Sequence, residues 1–236
     1  MNSIDKLFGI KKPIIGMIHL AGSSQEEKVE RAIEELKIYD EEGINGAIIE
    51  NYHGDVLDLA FVLEESANLN LNLVKGINVL GDLRSSFNLS HISDAKFIQI
   101  DSVQNKDLNA WEYDFLRKFF PGIYILGGIR FKYKTPTGNS LEQDLEEGKS
   151  NCNIIVTTGD GTGIETSIQK LKDFKNYLGD FPLIVGAGVN LKNVTEQLSV
   201  ADGAIVGSAF KPYKNTYEKV DRNLVRNFMN EVRKLR

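Results

Sequence analysis

Polar and ionisable residues recur along this chain at the ends of short apolar runs, where a purely structural core would avoid them. His19 closes the run 14–20, Glu50 closes 47–50 with Asn51 and His53 just beyond, Asn78 lies within 73–80, and Asp101 sits near the end of 97–103. Arg130 and Lys132 close the fifth run, 124–131. Buried ionisable groups are costly unless paired, so a ring of them at one end of a fold points to a site. Glu50 and Asp101 are the residue types that act as general acid and base, with His19 or Lys132 stabilising developing negative charge. Together with His19 they are also types that hold a divalent cation such as Mg²⁺. No tight ligand motif of the His-Glu-x-x-His kind is present, so the cation stays open as a cofactor. The structural alternative for each residue is a satisfied ion pair, for instance Glu50 with Arg130 or Lys132. A desolvated Lys132 or Lys211 is a Schiff-base candidate, but lysines at or beyond strand ends more commonly stay solvated and steer anions.

A second signal is glycine. The run 183–189 ends in Gly186-Ala187-Gly188, and the run 204–210 carries Gly207-Ser208. Glycine lets a ligand approach the backbone with no Cβ in the way, and exposed amides beside a helix start, here expected from about Leu191, form an anion site. Thr157-Thr158-Gly159-Asp160-Gly161-Thr162-Gly163 adds a third such loop. Thr158, Gly159, Thr162 and Gly163 are expected to grip the same phosphate or a neighbouring ribose, and Thr162 with Glu165 also reads as a helix capping box. The alternative is that these glycines serve only tight turns.

Such residues need elements to position them. The apolar runs 14–20, 47–50, 73–80, 97–103, 124–131, 154–158, 183–189 and 204–210 are rich in Ile, Val and Leu, as strands buried on both faces are. Between them the spacing predicts amphipathic helices over 25–42, 107–120, 164–178 and 221–236, with Trp111 packing on one of them. Eight strand–helix units of about 30 residues predict a single α/β domain over 1–236, a closed parallel (β/α)8 barrel. An open doubly wound sheet is the alternative. In a barrel, functional residues sit at the C-terminal ends of the strands.

Composition narrows the function classes. A balance of 28 Lys+Arg against 33 Asp+Glu, net −5, lacks the basic excess of a nucleic-acid binder. One cysteine, Cys152, excludes an internal disulfide and multi-cysteine metal sites and suits a reducing cytoplasm. Cys152 reads as buried filler. No apolar run approaches a membrane span. Peripheral membrane association is left open, and a homo-oligomer is expected from base rates for such barrels.

The chain resembles the BtpA/SgcQ family, named for a cyanobacterial photosystem I biogenesis factor and an enterobacterial protein. The resemblance rests on Gly16-Met17-Ile18-His19-Leu20, Ile48-Ile49-Glu50-Asn51, Gly76-Ile77-Asn78-Val79-Leu80, Val156-Thr157-Thr158-Gly159, Val185-Gly186-Ala187-Gly188-Val189 and Ala201-Asp202-Gly203 through Gly207-Ser208. It implies a TIM barrel with a phosphate site of the ribulose-phosphate-binding type. The chain departs from the family pattern at Ala21-Gly22-Ser23-Ser24, at Gly81-Asp82-Leu83 and at Lys132-Tyr133, several of them on the expected active face. Two functions follow as expectations. One is an isomerase, lyase or hydrolase acting on a phosphorylated metabolite, a sugar phosphate or nucleotide. The other is a non-catalytic sensing or assembly factor, like the photosystem I role of some relatives.

Overall fold

The computed structural model describes residues 2–236. Among them, β1 (Ile14–Ile18), β2 (Gly46–Glu50), β3 (Val74–Asn78), β4 (Phe97–Ile100), β5 (Tyr124–Gly128), β6 (Ile154–Thr158), β7 (Leu183–Gly186) and β8 (Gly203–Val206) pair in parallel, each with the next. β8 returns to β1 through Ile15↔Ile205. The sheet is therefore a closed barrel and not the open doubly wound alternative.

Alternation along each strand divides the core into two layers. Ile15, Met17, Ile48, Phe97, Leu126, Val156, Ile184 and Ile205 fill the barrel interior. Their neighbours Ile14, Ile18, Ile49, Ile77, Ile98, Ile155, Val185 and Val206 pack outward against the helices. Glycines make room where rings enter: a Cβ at Gly76 would lie 2.3 Å from the Phe97 ring, and one at Gly46 2.8 Å from Phe8.

The surrounding helices are α1 (Ser3–Phe8), α2 (Gln25–Glu41), α3 (Val56–Ser66), α4 (Leu83–Ile92), α5 (Ala110–Phe119), α6 (Leu141–Asn151), α7 (Ile168–Leu178), α8 (Val194–Val200) and α9 (Arg222–Arg233). Side-chain caps start most of them: Ser24, Asp55, Asp82, Asn109, Ser140, Ser167 and Asp221 each accept a first-turn amide, worth ~1 kcal/mol apiece. Periodicity gave no hint of α1. Its Ile4, Leu7 and Phe8 join the inner core, so it stoppers the N-terminal end of the barrel.

Three local expectations change. The helix expected over 164–178 starts only at Ile168, capped by Ser167, so Thr162 and Glu165 form no capping box and 159–166 remains a loop. The helix expected over 107–120 starts at Ala110 behind the Asn109 cap. Trp111 is not packed: it is 75% exposed and heads a row with Phe115 and Phe119. Cys152 is buried as expected, and burial pushes its thiol up to about 12. Among the described residues, no helix is long and apolar enough to cross a membrane.

Candidate functional site

The inward columns run on past the apolar core. One step beyond Met17, Ile48, Gly76, Phe97, Leu126, Val156, Ile184 and Ile205, alternation places His19, Glu50, Asn78, Gln99, Gly128, Thr158, Gly186 and Gly207 at the C-terminal mouth. Hydrophobic burial holds each strand, and the same period of two aims its last residue into the mouth.

Glu50, on β2, is buried, and its register partner on β3 is Asn78. The Asn78 amide donates to Glu50 Oε1 at 2.8 Å and to Asp101 Oδ1 at 3.2 Å, tying the two carboxylates together. Gln99 donates to the same Asp101 oxygen at 3.2 Å. Burial first, then repulsion from Asp101, raises the Glu50 pKa to about 7, against the opposing pull of Lys132 and the Asn78 hydrogen bond. His19 goes the other way: burial, then the charge of Lys211, holds it well below the ordinary imidazole value, so it is neutral at pH 7. Its buried Nδ1 and the buried Oε1 of Gln99 have no hydrogen-bond partner. Unsatisfied polar atoms in a core are expensive, and both of these line the same pocket.

The wall facing Glu50 is made of backbone. Loops after β6, β7 and β8 bring Gly163, Gly188 and Ser208 to the pocket together with Lys132. Ala187 (φ 59°) and Gly188 (φ 66°) are successive left-handed residues, a backbone curl of the kind that can present amides to an anion. Among the described residues, the amides of Ala187, Gly188 and Gly207 donate to no backbone acceptor. Asn190 and Asn193 both donate to the Gly188 carbonyl, at 2.8 and 3.0 Å, and fix the curl. On the loop after β5, the Lys132 amide donates to Thr158 Oγ1 at 2.7 Å and its Nζ to Thr162 Oγ1 at 3.2 Å. Tyr133 Oη accepts the Thr162 amide at 2.8 Å, joining the two loops.

The mouth is divided. Glu50 and Lys132 line a narrow central pocket of about 60 Å³. Asp101 instead opens into a cleft of about 450 Å³ between the loops after β3 and β4. Gln99 lines both, and Asn78 lies in the partition.

Several expected site residues are placed elsewhere. Arg130 is not paired with Glu50 but turns outward to Asp144 of α6 at 2.7 Å. Lys211 is not a solvated anion-steering lysine. It is buried at 2% exposure beside Glu35, 3.7 Å away, and burial lowers its ammonium to about 8. His53 faces Thr216, at 2.9 Å, and Tyr217. Asn51 accepts the Leu80 amide at 2.7 Å, a loop brace. Among the described residues no cluster of three or more His, Cys, Asp or Glu is placed to hold a metal ion, so the His19–Glu50–Asp101 cation set is not assembled. The glycine-loop wall has no long helix behind it, since α8 begins at Val194 and has 7 residues. Gly159 and Gly188 have packing duties: a Cβ at either would meet the backbone of Ile164 and Glu165 within 2.7 Å. Gln99, Tyr52, Phe131 and Asn193 were not singled out from sequence. For Gln99 the signal was its place on the inward column of β4.

With this geometry described, comparison with known proteins places the chain. The model of the BtpA family matches residues 10–234. An uncharacterized protein of Methanocaldococcus jannaschii is 28% identical over 96% of this chain and 97% of its own. The photosystem I biogenesis protein BtpA of Synechocystis is 25% identical over 91% of this chain and 85% of its own. Among solved structures, phosphoribosyl anthranilate isomerase from Thermus thermophilus superposes with a TM-score of 0.67 at 11% identity, covering 95% of this chain and 100% of that one. At that identity the likeness is one of fold.

Proposed function

The chain belongs to the BtpA family, and from that premise we propose that it is an enzyme acting on a phosphorylated small molecule held at the C-terminal mouth of the barrel. The observation that carries this reading is a buried carboxyl, Glu50, sharing one pocket with glycine-loop amides and Lys132; burial and the neighbouring Asp101 push it up to about 7. A group with its pKa near the working pH gives and takes protons most effectively. Ala187, Gly188, Gly207 and Ser208 hold the phosphate through backbone amides, with Gly163 and Thr162 at its edge. Lys132 stabilises negative charge that develops beside Glu50. Neutral His19 supplies a hydrogen bond rather than a charge. The name of the Thermus structure, a phosphoribosyl enzyme on the same fold, supports the substrate class.

The test is calorimetric titration with inorganic phosphate and ribose 5-phosphate, then a turnover screen of phosphorylated metabolites. Ser208→Asp, which sets a carboxylate at the anion wall, is expected to abolish binding of both. Substitution of Gly188 would not serve, because any side chain there collides with the loop after β6. Ligands at about 100 times Kd stabilise by about 2.7 kcal/mol, a readily measured Tm shift. Binding without any turnover, unchanged by Glu50→Gln, would favour a sensing or assembly role. No binding of any phosphate compound would refute the site.

A further inference from the structure

We infer that the ligand is a phosphomonoester whose non-phosphate part is hydroxyl- or amine-rich and lies in the cleft between the loops after β3 and β4, so that it straddles the Glu50–Asn78–Asp101 partition. This rests on the reading of the anion wall above and extends it. The central pocket, about 60 Å³, has room for a small group only. Ligand sites for whole metabolites run to roughly 300–1,000 Å³, and the adjoining cleft supplies about 450 Å³. The two spaces meet at Gln99, which is 4% exposed and whose Oε1 lacks a partner. An orphaned acceptor at the junction calls for a donor, a hydroxyl or an amine. The cleft wall agrees: Asp82, Asp101, Asp107 and Glu112 outnumber Arg84 and Lys134, a lining that disfavours a second phosphate. Basic residues gather instead in the cleft under the loop after β5, around Arg130, Lys132 and Lys170; it meets the central pocket at Phe131 and Lys132 and is where a bisphosphate would extend.

The experiment compares the dissociation constants of inorganic phosphate, ribose 5-phosphate and fructose 1,6-bisphosphate. The wild-type chain is expected to bind ribose 5-phosphate at least tenfold tighter than phosphate, and the bisphosphate no tighter than the monoester. Arg84→Trp, at a solvent-exposed position on the cleft rim, is expected to erase that tenfold gain while leaving phosphate binding intact. Leu80→Trp fills the cleft from the loop after β3 itself and repeats the test should the first variant misfold. A gain that survives both substitutions, or a tighter bisphosphate, overturns the inference. Loss of phosphate binding by the wild type would instead defeat the anion wall itself.

A separate observation carries a second inference. On α5, Trp111 and Phe115 stack at 6.0 Å between ring centroids, and Phe115 and Phe119 at 5.7 Å. These rings are 75%, 52% and 64% exposed. Contiguous apolar patches of several hundred Å² mark interfaces. Asp114 and Lys118 are exposed beside this row. The geometry points to a second copy of this chain as the occupant. A two-fold antiparallel contact of α5 stacks the rings and sets Asp114 against Lys118 of the other copy. A mixed-charge flank of this kind suits self-pairing better than an anionic lipid surface. In light scattering the chain is expected to run as a dimer that Phe115→Asp and Asp114→Lys each weaken at least tenfold. The double charge swap Asp114→Lys with Lys118→Asp is expected to restore it. A monomeric wild type, or a dimer indifferent to Phe115→Asp, rules this contact out.

Discussion

At the N-terminal end of the barrel the inward columns carry Val74, Phe97, Tyr124 and Ile154, with Ile4, Leu7 and Phe8 of α1 closing the opening. Four residues further along, the same columns carry Asn78, Asp101, Gly128 and Thr158. The two ends share strands and alternation, yet the first is an apolar layer and the second a set of amides, carboxyls and glycines. Two buried polar atoms without a partner, in His19 and Gln99, lie at the mouth. One end of the barrel stabilises, and the other leaves buried polar groups unpaired at a cost to stability.

The contrast is open to breaking, beginning with the largest effect. Phe97→Ala hollows the closed end and is expected to cost about 3–5 kcal/mol in chemical denaturation, with phosphate affinity unchanged. A comparable loss of affinity would show that the ends are not independent. Glu50→Gln at the mouth is expected to stabilise instead. The folded-state pKa of Glu50, about 7, lies above its ordinary 4.5, so its contribution is fully present below about pH 4.5 and is lost as pH rises through 7. The loss amounts to ~3 kcal/mol, and Glu50→Gln should flatten the stability–pH profile over that window while abolishing turnover. A profile identical to wild type would refute the buried acid. Lys132→Met is the smallest perturbation: stability within about 0.5 kcal/mol, but a further rise in the Glu50 pKa, because the lysine's attraction is what lowers it. Carboxyl-resolved NMR titration reads that directly, and an unmoved or lowered midpoint would separate Lys132 from Glu50.

Much of this was legible in the residues. The apolar runs carried the barrel, since a strand buried on both faces must be continuously hydrophobic. The polar run ends carried His19, Glu50 and Asn78 to the mouth, because a polar residue at the end of an inward column has only the mouth to occupy. Arg130 and Lys211 were misplaced for the same kind of reason: whether a long side chain turns inward is decided by its partners, Asp144 on α6 and Glu35 on α2, which lie far off in sequence. Trp111 failed differently, since helical periodicity does not say which apolar stripe on α5 faces the core.

What the sequence determined by itself is the repeating strand–helix order, the inward alternation, the family and the ring of polar strand ends. The family follows from the resemblance of its motif segments, and the rest from local period and residue type. Only the tertiary structure decided that Asn78 bridges Glu50 and Asp101, that these carboxyls open into different spaces, that Gly188 packs against the loop after β6, and that α1 stoppers the far end. Those outcomes depend on closing eight strands into one ring, which brings together side chains that no local pattern relates.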